Sequence, residues 1–416
     1  MNYSEGLLLG GEPKKRHMGR TFGVLALSCQ TVILIGFGVL GEAKFTAESS
    51  AHSVQVYNYY VGVALMMLVG FGYLMTFLRW YGLGAVGFTM LITCISVEVA
   101  ILAEPLFANG WEHKINVDVM SLLHGNFCAA ACLISFGGVI GKLNPSQLLV
   151  LAFVEPIFYS MNNQLVLTTW LGIADVGGTI SIHMFGAYFG LAVSAVHGKP
   201  VDTSKEKSST VSDIFSFIGT TFLWLFWPSF VAGAIPAGTP EAETAITNTV
   251  LALIASTVMT FAVSPLLCDG VFRPVDLQNA TLAGGVAIGA IANLDIKPIG
   301  ALLVGSFAGA LSTVGFCRVQ EALLTKLQLH DSCGIHNLHG LPSILGGLAS
   351  AIVPTIISDD NAGHPGKQLA GVAVTLVVAV TSGALSGFAL KTLNDDARMA
   401  DDSFYWEVAD DFDKGL

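Results

Sequence analysis

Two histidines, His183 and His336, each lie inside a hydrophobic stretch long enough to cross a bilayer, and each follows an aspartate and glycine: Asp175-Val-Gly-Gly-Thr-Ile-Ser-Ile-His183 and Asp331-Ser-Cys-Gly-Ile-His336. An ionisable group at bilayer depth costs from about 2.5 to more than 10 kcal/mol, so one kept there faces a partner, a cavity or a transport path. A neutral imidazole offers one donor and one acceptor, and a dry lumen disfavours the imidazolium. Two such rings at matched depth suit the passage of a small polar solute rather than the retention of a cation. Asp175 is positioned to cap the helix that starts at Gly177-Gly178-Thr179 and to shape an outer vestibule, with Asp331 as its counterpart at the inner mouth. His339 follows His336 by one helical step, on nearly the same face, and is expected to hydrogen-bond beside the pore rather than line it. His124 has no partner that the sequence identifies and reads as a packed histidine. A histidine metal site would need a third ligand in geometry that the sequence does not supply, so no metal and no cofactor are expected.

The elements that hold these residues are membrane helices. The chain is 53% hydrophobic and 12% charged, with a mean hydropathy of +0.67; ordinary soluble domains carry about 25% charged residues. Long apolar runs give twelve spans at about 21–41, 58–79, 84–104, 117–141, 145–168, 176–196, 212–234, 245–267, 276–294, 297–317, 334–357 and 369–391. The ninth and tenth are separated only by Asp295-Ile296-Lys297. If both termini are cytoplasmic, the inner segments hold 15 of the 19 Lys and Arg residues and the outer segments hold Lys44, Lys114, Lys297 and Lys367, which is the bias expected of that orientation. The first span has about 20 apolar residues, longer than the core of a signal peptide, and is read as a retained helix.

The spans make an all-α integral membrane protein in one domain, residues 21–392, between a cytoplasmic N-terminus (1–20) and an acidic tail (393–416). Spans two to six and seven to eleven each number five, and both sets end on an Asp, Gly, His element. Five helices per unit force opposite orientations, so the reading is a pair of inverted repeats, about 58–196 and 212–357, plus one extra N-terminal helix. Glycine, 46 residues of 416, recurs within the sixth, ninth and eleventh spans and lets helix backbones approach closely. The inner loop at about 197–211 is polar and reads as a flexible linker. The tail carries eight acidic residues, among them Asp401, Asp402 and Glu407, beside Phe404-Tyr405-Trp406, and reads as solvated and partly disordered. The seven cysteines lie in or beside spans and read as inert packing residues. Nothing suggests a nucleotide loop, a catalytic cluster or nucleic-acid binding, so an enzyme is not expected.

Several stretches resemble one family. Val69–Leu78 (VGFGYLMTFL), Tyr81–Phe88 (YGLGAVGF), Asp175–Gly190, Phe222–Phe230 (FLWLFWPSF), Gln278–Gly285 (QNATLAGG) and Cys333–Gly340 (CGIHNLHG) are similar to the Rh glycoprotein branch of the ammonium transporter (Amt/Mep/Rh) family, in order along residues 20–392. The resemblance implies a homotrimer in the lipid bilayer, in the plasma membrane, with one narrow hydrophobic pore per protomer. It further implies that His183 and His336 are the twin pore histidines, Phe127 and Phe230 the paired aromatic gate, and Asp175 an acidic residue needed for conduction, with His339, Asp331 and Asn279 as secondary pore or vestibule positions. The implied substrate is ammonium, recruited at the mouth and passed as ammonia. The alternatives are a CO2 channel or a non-conducting scaffold or sensor. Bacterial-type members place a Trp about twelve residues before the counterpart of Asp175; here Tyr159–Gln164 holds none, which removes a cation–π attraction of about 0.5–2 kcal/mol.

Overall fold

The computed structural model describes residues 5–45, 47–200, 203–393 and 401–409. Long helices dominate: α1 (Glu5–Leu40), α2 (Ala47–Leu65), α3 (Gly82–Asn109), α4 (Val119–Val139), α5 (Pro145–Ser160), α6 (Phe185–His197), α7 (Thr210–Ala232), α8 (Pro240–Leu267), α9 (Pro274–Ala280), α10 (Ala283–Ile288), α11 (Lys297–Val314), α12 (Leu341–Ile352), α13 (Pro365–Lys391) and the single turn α14 (Asp402–Tyr405). Ten helices among the described residues are long and apolar enough to cross a membrane. The other two expected spans are helical as well: α5 runs on into a π-helix, Met161–Leu171, and the ninth span is the broken pair α9 and α10. The chain is thus an all-α membrane protein of about twelve transmembrane helices.

The bundle has two ends. Gly82, at the start of α3, lies where the tail docks; α3 crosses to the far face, and α4 returns from there to Ile140. Helix spacing inside the bundle is tight where small residues face one another. A Cβ added to Gly284 would lie 2.2 Å from the Ala252 carbonyl oxygen, and one added to Gly346 would lie 2.2 Å from that of Ala287. No side chain fits at either crossing, which is how helices without a hydrophobic driving force between them pack closely.

Among the described residues, five π-helical segments interrupt the bundle: Met66–Phe71, Met161–Leu171, Thr179–Met184, Gly315–Val319 and His336–Gly340. Such segments concentrate at functional sites. Two of them carry the histidines.

Both segments expected to be loose are held. Across residues 203–209, Lys205 pairs with Asp401, the Glu206 carboxylate lies 2.7 Å from His330 Nε2, and the Lys207 carbonyl accepts from Arg79 N; the expected flexible linker is therefore anchored where it is described. The Asp402 carboxylate accepts from Leu83 N (2.7 Å) and Gly84 N (2.8 Å), capping the N-terminus of α3. Trp406 lies 5.5 Å from Phe88 and packs on Gly87, where a Cβ would come within 2.4 Å of the indole. The part of the tail over 401–409 is thus a docked element, not a solvated one. Asp395, Asp396, Asp410, Asp411 and Asp413 lie outside the described residues.

Candidate pore site

Two arms build the centre of the bundle. In the first, the Asp175 carboxylate accepts from Ile180 N (3.0 Å) and Ser181 N (2.8 Å), and Gly178 turns the chain at φ +67°. That value lies in the left-handed region that glycine adopts without a Cβ clash. The π-helix Thr179–Met184 follows, and α6 continues to the tail face, where Lys142 reaches the Ser194 carbonyl. In the second arm the Asp331 carboxylate accepts from Gly334 N, Ile335 N and His336 N at 2.9–3.0 Å, and Gly334 turns at φ +77°. This arm starts at the tail face, where Ser332 bonds the Ile140 carbonyl, and runs the opposite way through His336–Gly340 into α12. The same device, an aspartate cap, a left-handed glycine and a π-turn, is used twice in antiparallel directions. The expected capping role of Asp175 is realised, and Asp331 repeats it.

The histidine that meets His183 is His339. The two Nδ1 atoms lie 3.2 Å apart and the rings are nearly coplanar, with centroids 5.2 Å apart at 9°. His336 is not the partner. Its ring packs edge-on against Tyr188 (5.9 Å, 76°), it is half-buried, and its Nδ1 has no hydrogen bond. The expectation for these two residues is therefore exchanged. The signal was available as equal spacing: 183 − 175 = 8 and 339 − 331 = 8, whereas 336 − 331 = 5. Equal distance from two equivalent caps delivers equal depth, and the proximity of His336 to its glycine obscured it.

Rings continue from the pair toward both faces. On the far side, His183 stacks on Trp227 (5.5 Å, 16°) and contacts Phe230 (5.7 Å). Phe230 meets Phe127 edge to face at 5.1 Å and 81°, so the expected aromatic pair is assembled. Trp227 was not anticipated. It lies three residues before Phe230 on the same helix, and neighbours at that spacing share a face. His124 stacks on Phe127 (5.9 Å, 30°), and the Glu104 carboxylate lies 3.9 Å from its Nδ1, so it has the partner that the sequence did not supply. On the tail side, His339 stacks on Phe71 (6.1 Å, 21°) and opens on a narrow cavity whose wall includes Leu74, Ile134, Leu338 and Asn279. Asn279 spends its amide on the Val275 carbonyl. This row of rings is thus largely apolar, its polar atoms being those of the imidazoles, the Trp227 indole N–H and the Asn279 side chain. Both rings are buried, at 1% and 3% exposure for His183 and His339.

A family model, the Ammonium Transporter Family, matches residues 23–399 of this chain. The chain belongs to that family. Its similarity to curated relatives places it on the Rh branch: an ammonium transporter Rh type B of Danio rerio is 38% identical over 92% of both chains, and an ammonium transporter Rh type C of Rattus norvegicus is 38% identical over 94% of this chain and 87% of the relative. Among solved structures, the Nitrosomonas europaea Rh50 protein, of the Rhesus protein family of channels, superposes with a TM-score of 0.78 at 37% identity, covering 88% of this chain and 95% of that one. A sensor Amt protein superposes at 0.71 with 20% identity and shares the fold. The family is one of transporters and channels, and this Rh-branch protein is an integral membrane protein of that ammonium-transport family.

Proposed function

We propose that each protomer conducts ammonia through the lane from Phe127 and Phe230, past His183 and His339, to the cavity beside Phe71. The far face is taken as the outside, an orientation supported by the 15-to-4 bias of basic residues toward the side of the termini, and the membrane is the plasma membrane. Ammonium collects at the outer mouth, near Glu104 and His124. It loses a proton at the Phe127 and Phe230 constriction, because an apolar lane opposes a bare ion by its desolvation cost. Ammonia then exchanges hydrogen bonds with the paired imidazoles and is reprotonated on the inner side. Net passage is electroneutral, and the working assembly is a homotrimer of independent pores.

The observation that carries this reading is the imidazole pair, buried in a largely apolar, ring-lined path. Proteoliposomes exposed to an inward ammonium gradient test it through internal pH. Conduction of ammonia alkalinises them faster than empty vesicles; equal rates remove the reading, and acceleration only under a matched CO2 gradient would make the protein a CO2 pathway.

A further inference from the structure

The cysteines that the sequence suggested were inert do not all pack alone. Cys268 caps the end of α8, Asp276 lies in α9, and Cys317 lies in the π-helix Gly315–Val319 that follows α11. The three come together at the tail face, outside the histidine lane. Their Sγ atoms are 3.1 Å apart, and Asp276 Oδ2 lies 3.4 Å from Cys317 Sγ and 3.9 Å from Cys268 Sγ. All three ligand atoms fall within 4.8 Å of one another.

We propose that Cys268, Cys317 and Asp276 form a binding site for a zinc-class divalent cation. Tetrahedral zinc with Zn–S near 2.3 Å and Zn–O near 2.0 Å sets S···S at about 3.8 Å and S···O at about 3.5 Å. The S···O spacings already bracket that value, and the sulfurs need to part by less than 1 Å. A disulfide, at about 2.05 Å, requires the opposite movement by about 1 Å and leaves the carboxylate without a role. Asp276 is fully buried, and its Oδ1 has no hydrogen bond, although the residue is an acid in a membrane protein. Ser264 Oγ donates to Oδ2 at 2.7 Å, orienting the carboxylate as outer-shell partners of metal ligands do. The Arg273 guanidinium lies 3.8 Å from Asp276 Oδ1 and 3.7 Å from Cys268 Sγ. Two thiolates, one carboxylate and Zn2+ sum to one negative charge, which that guanidinium balances. Both cysteines are half-buried, so the site is reachable, and three protein ligands leave a fourth position for water.

Binding replaces two S–H bonds with two Zn–S bonds and releases two protons, so affinity rises with pH. The ion would tie α8, α9 and the end of α11 together. The π-helix bearing Cys317 also abuts the second histidine arm, since a Cβ on Gly315 would meet the Asn337 side chain.

The test uses the full-length, tag-free, reduced protein in detergent, titrated with Zn2+ against a chromophoric chelator and with Co2+ as a spectroscopic probe. The expected result is one ion per protomer, two protons released per Zn2+, and a thiolate-to-cobalt charge-transfer band. Cys317→Ser and Cys268→Ser should each abolish the band, and Ser264→Ala should weaken affinity by roughly 10–100-fold. Zinc should raise the unfolding temperature of the parent protein and chelation should reverse it, a readout that needs no variant. Stoichiometry below one, a band that survives both serine variants, or loss of both thiols to peroxide at a rate that Zn2+ does not slow would each overturn the proposal. The last outcome would make the pair a redox dithiol.

Discussion

His183 and His339 share a single hydrogen bond through their Nδ1 atoms, 3.2 Å apart. With both rings neutral, one proton lies between them, so the ring that donates keeps a bare Nε2 and the ring that accepts carries Nε2–H. The pair therefore always presents one donor and one acceptor along the lane. Replacing His339 with Ala should change ammonia flux about five- to tenfold, the factor for about 1–1.4 kcal/mol of lost hydrogen bonding. His336→Ala should leave flux within about twofold of the parent. Internal pH in proteoliposomes reports both, and a larger effect at His336 than at His339 would refute the assignment.

Phe127 and Phe230 meet edge to face at 5.1 Å, where the proposed path is narrowest. Phe230→Ala removes a fully packed ring and should cost about 3–5 kcal/mol of stability. In protein that still folds, the widened constriction should raise methylammonium flux relative to ammonia. A flux ratio unchanged from the parent would mean that the narrowest point lies elsewhere.

Asp175 and Asp331 should be equivalent in stability. Each carboxylate satisfies two or three backbone N–H groups at the start of a π-turn, and losing such a cap costs about 1–2 kcal/mol. Replacing either with Ala is therefore expected to lower the thermal unfolding midpoint by about 1–2 °C in a chain of this size. A midpoint unchanged in Asp331→Ala, with Asp175→Ala destabilised, would break the equivalence.

Docking of the tail should depend on pH through Asp402, whose carboxyl burial pushes up to about 6. The docked state thus binds the proton more tightly than the free state, whose value is near 3.9. Docking is fullest below about pH 4 and weakens as pH rises through 6. Limited proteolysis should release the tail faster at pH 7.5 than at pH 5.5, and Asp402→Asn should flatten that difference. A tail that is cut faster at the lower pH would contradict the sign.

Span positions were legible in the sequence because hydrophobic length and the bias of basic residues are set residue by residue. The Asp175 cap was legible too, through its local motif, whereas the aromatic pair was legible only through the resemblance to the Rh branch. His339 was not, because helical spacing was judged within one arm instead of between two arms; a π-turn adds a residue, so an α-helical face assignment for His336 and His339 fails there. The docking of Asp402 and the meeting of Cys268 with Cys317 join residues 318 or 319 positions apart in one case and 49 in the other. No periodicity records contacts of that range.

Each π-turn also fixes chain length. Deleting one residue within 336–338 shortens the step from Asp331 to His339, and since each residue advances a helix by about 100°, His339 would swing out of line with His183 while the helix itself stayed intact. The loops at the bundle ends can lose or gain residues without that rotation. From each aspartate cap to its histidine, the separation of eight positions is therefore a quantity the chain must keep even where the seven side chains in between are free to change.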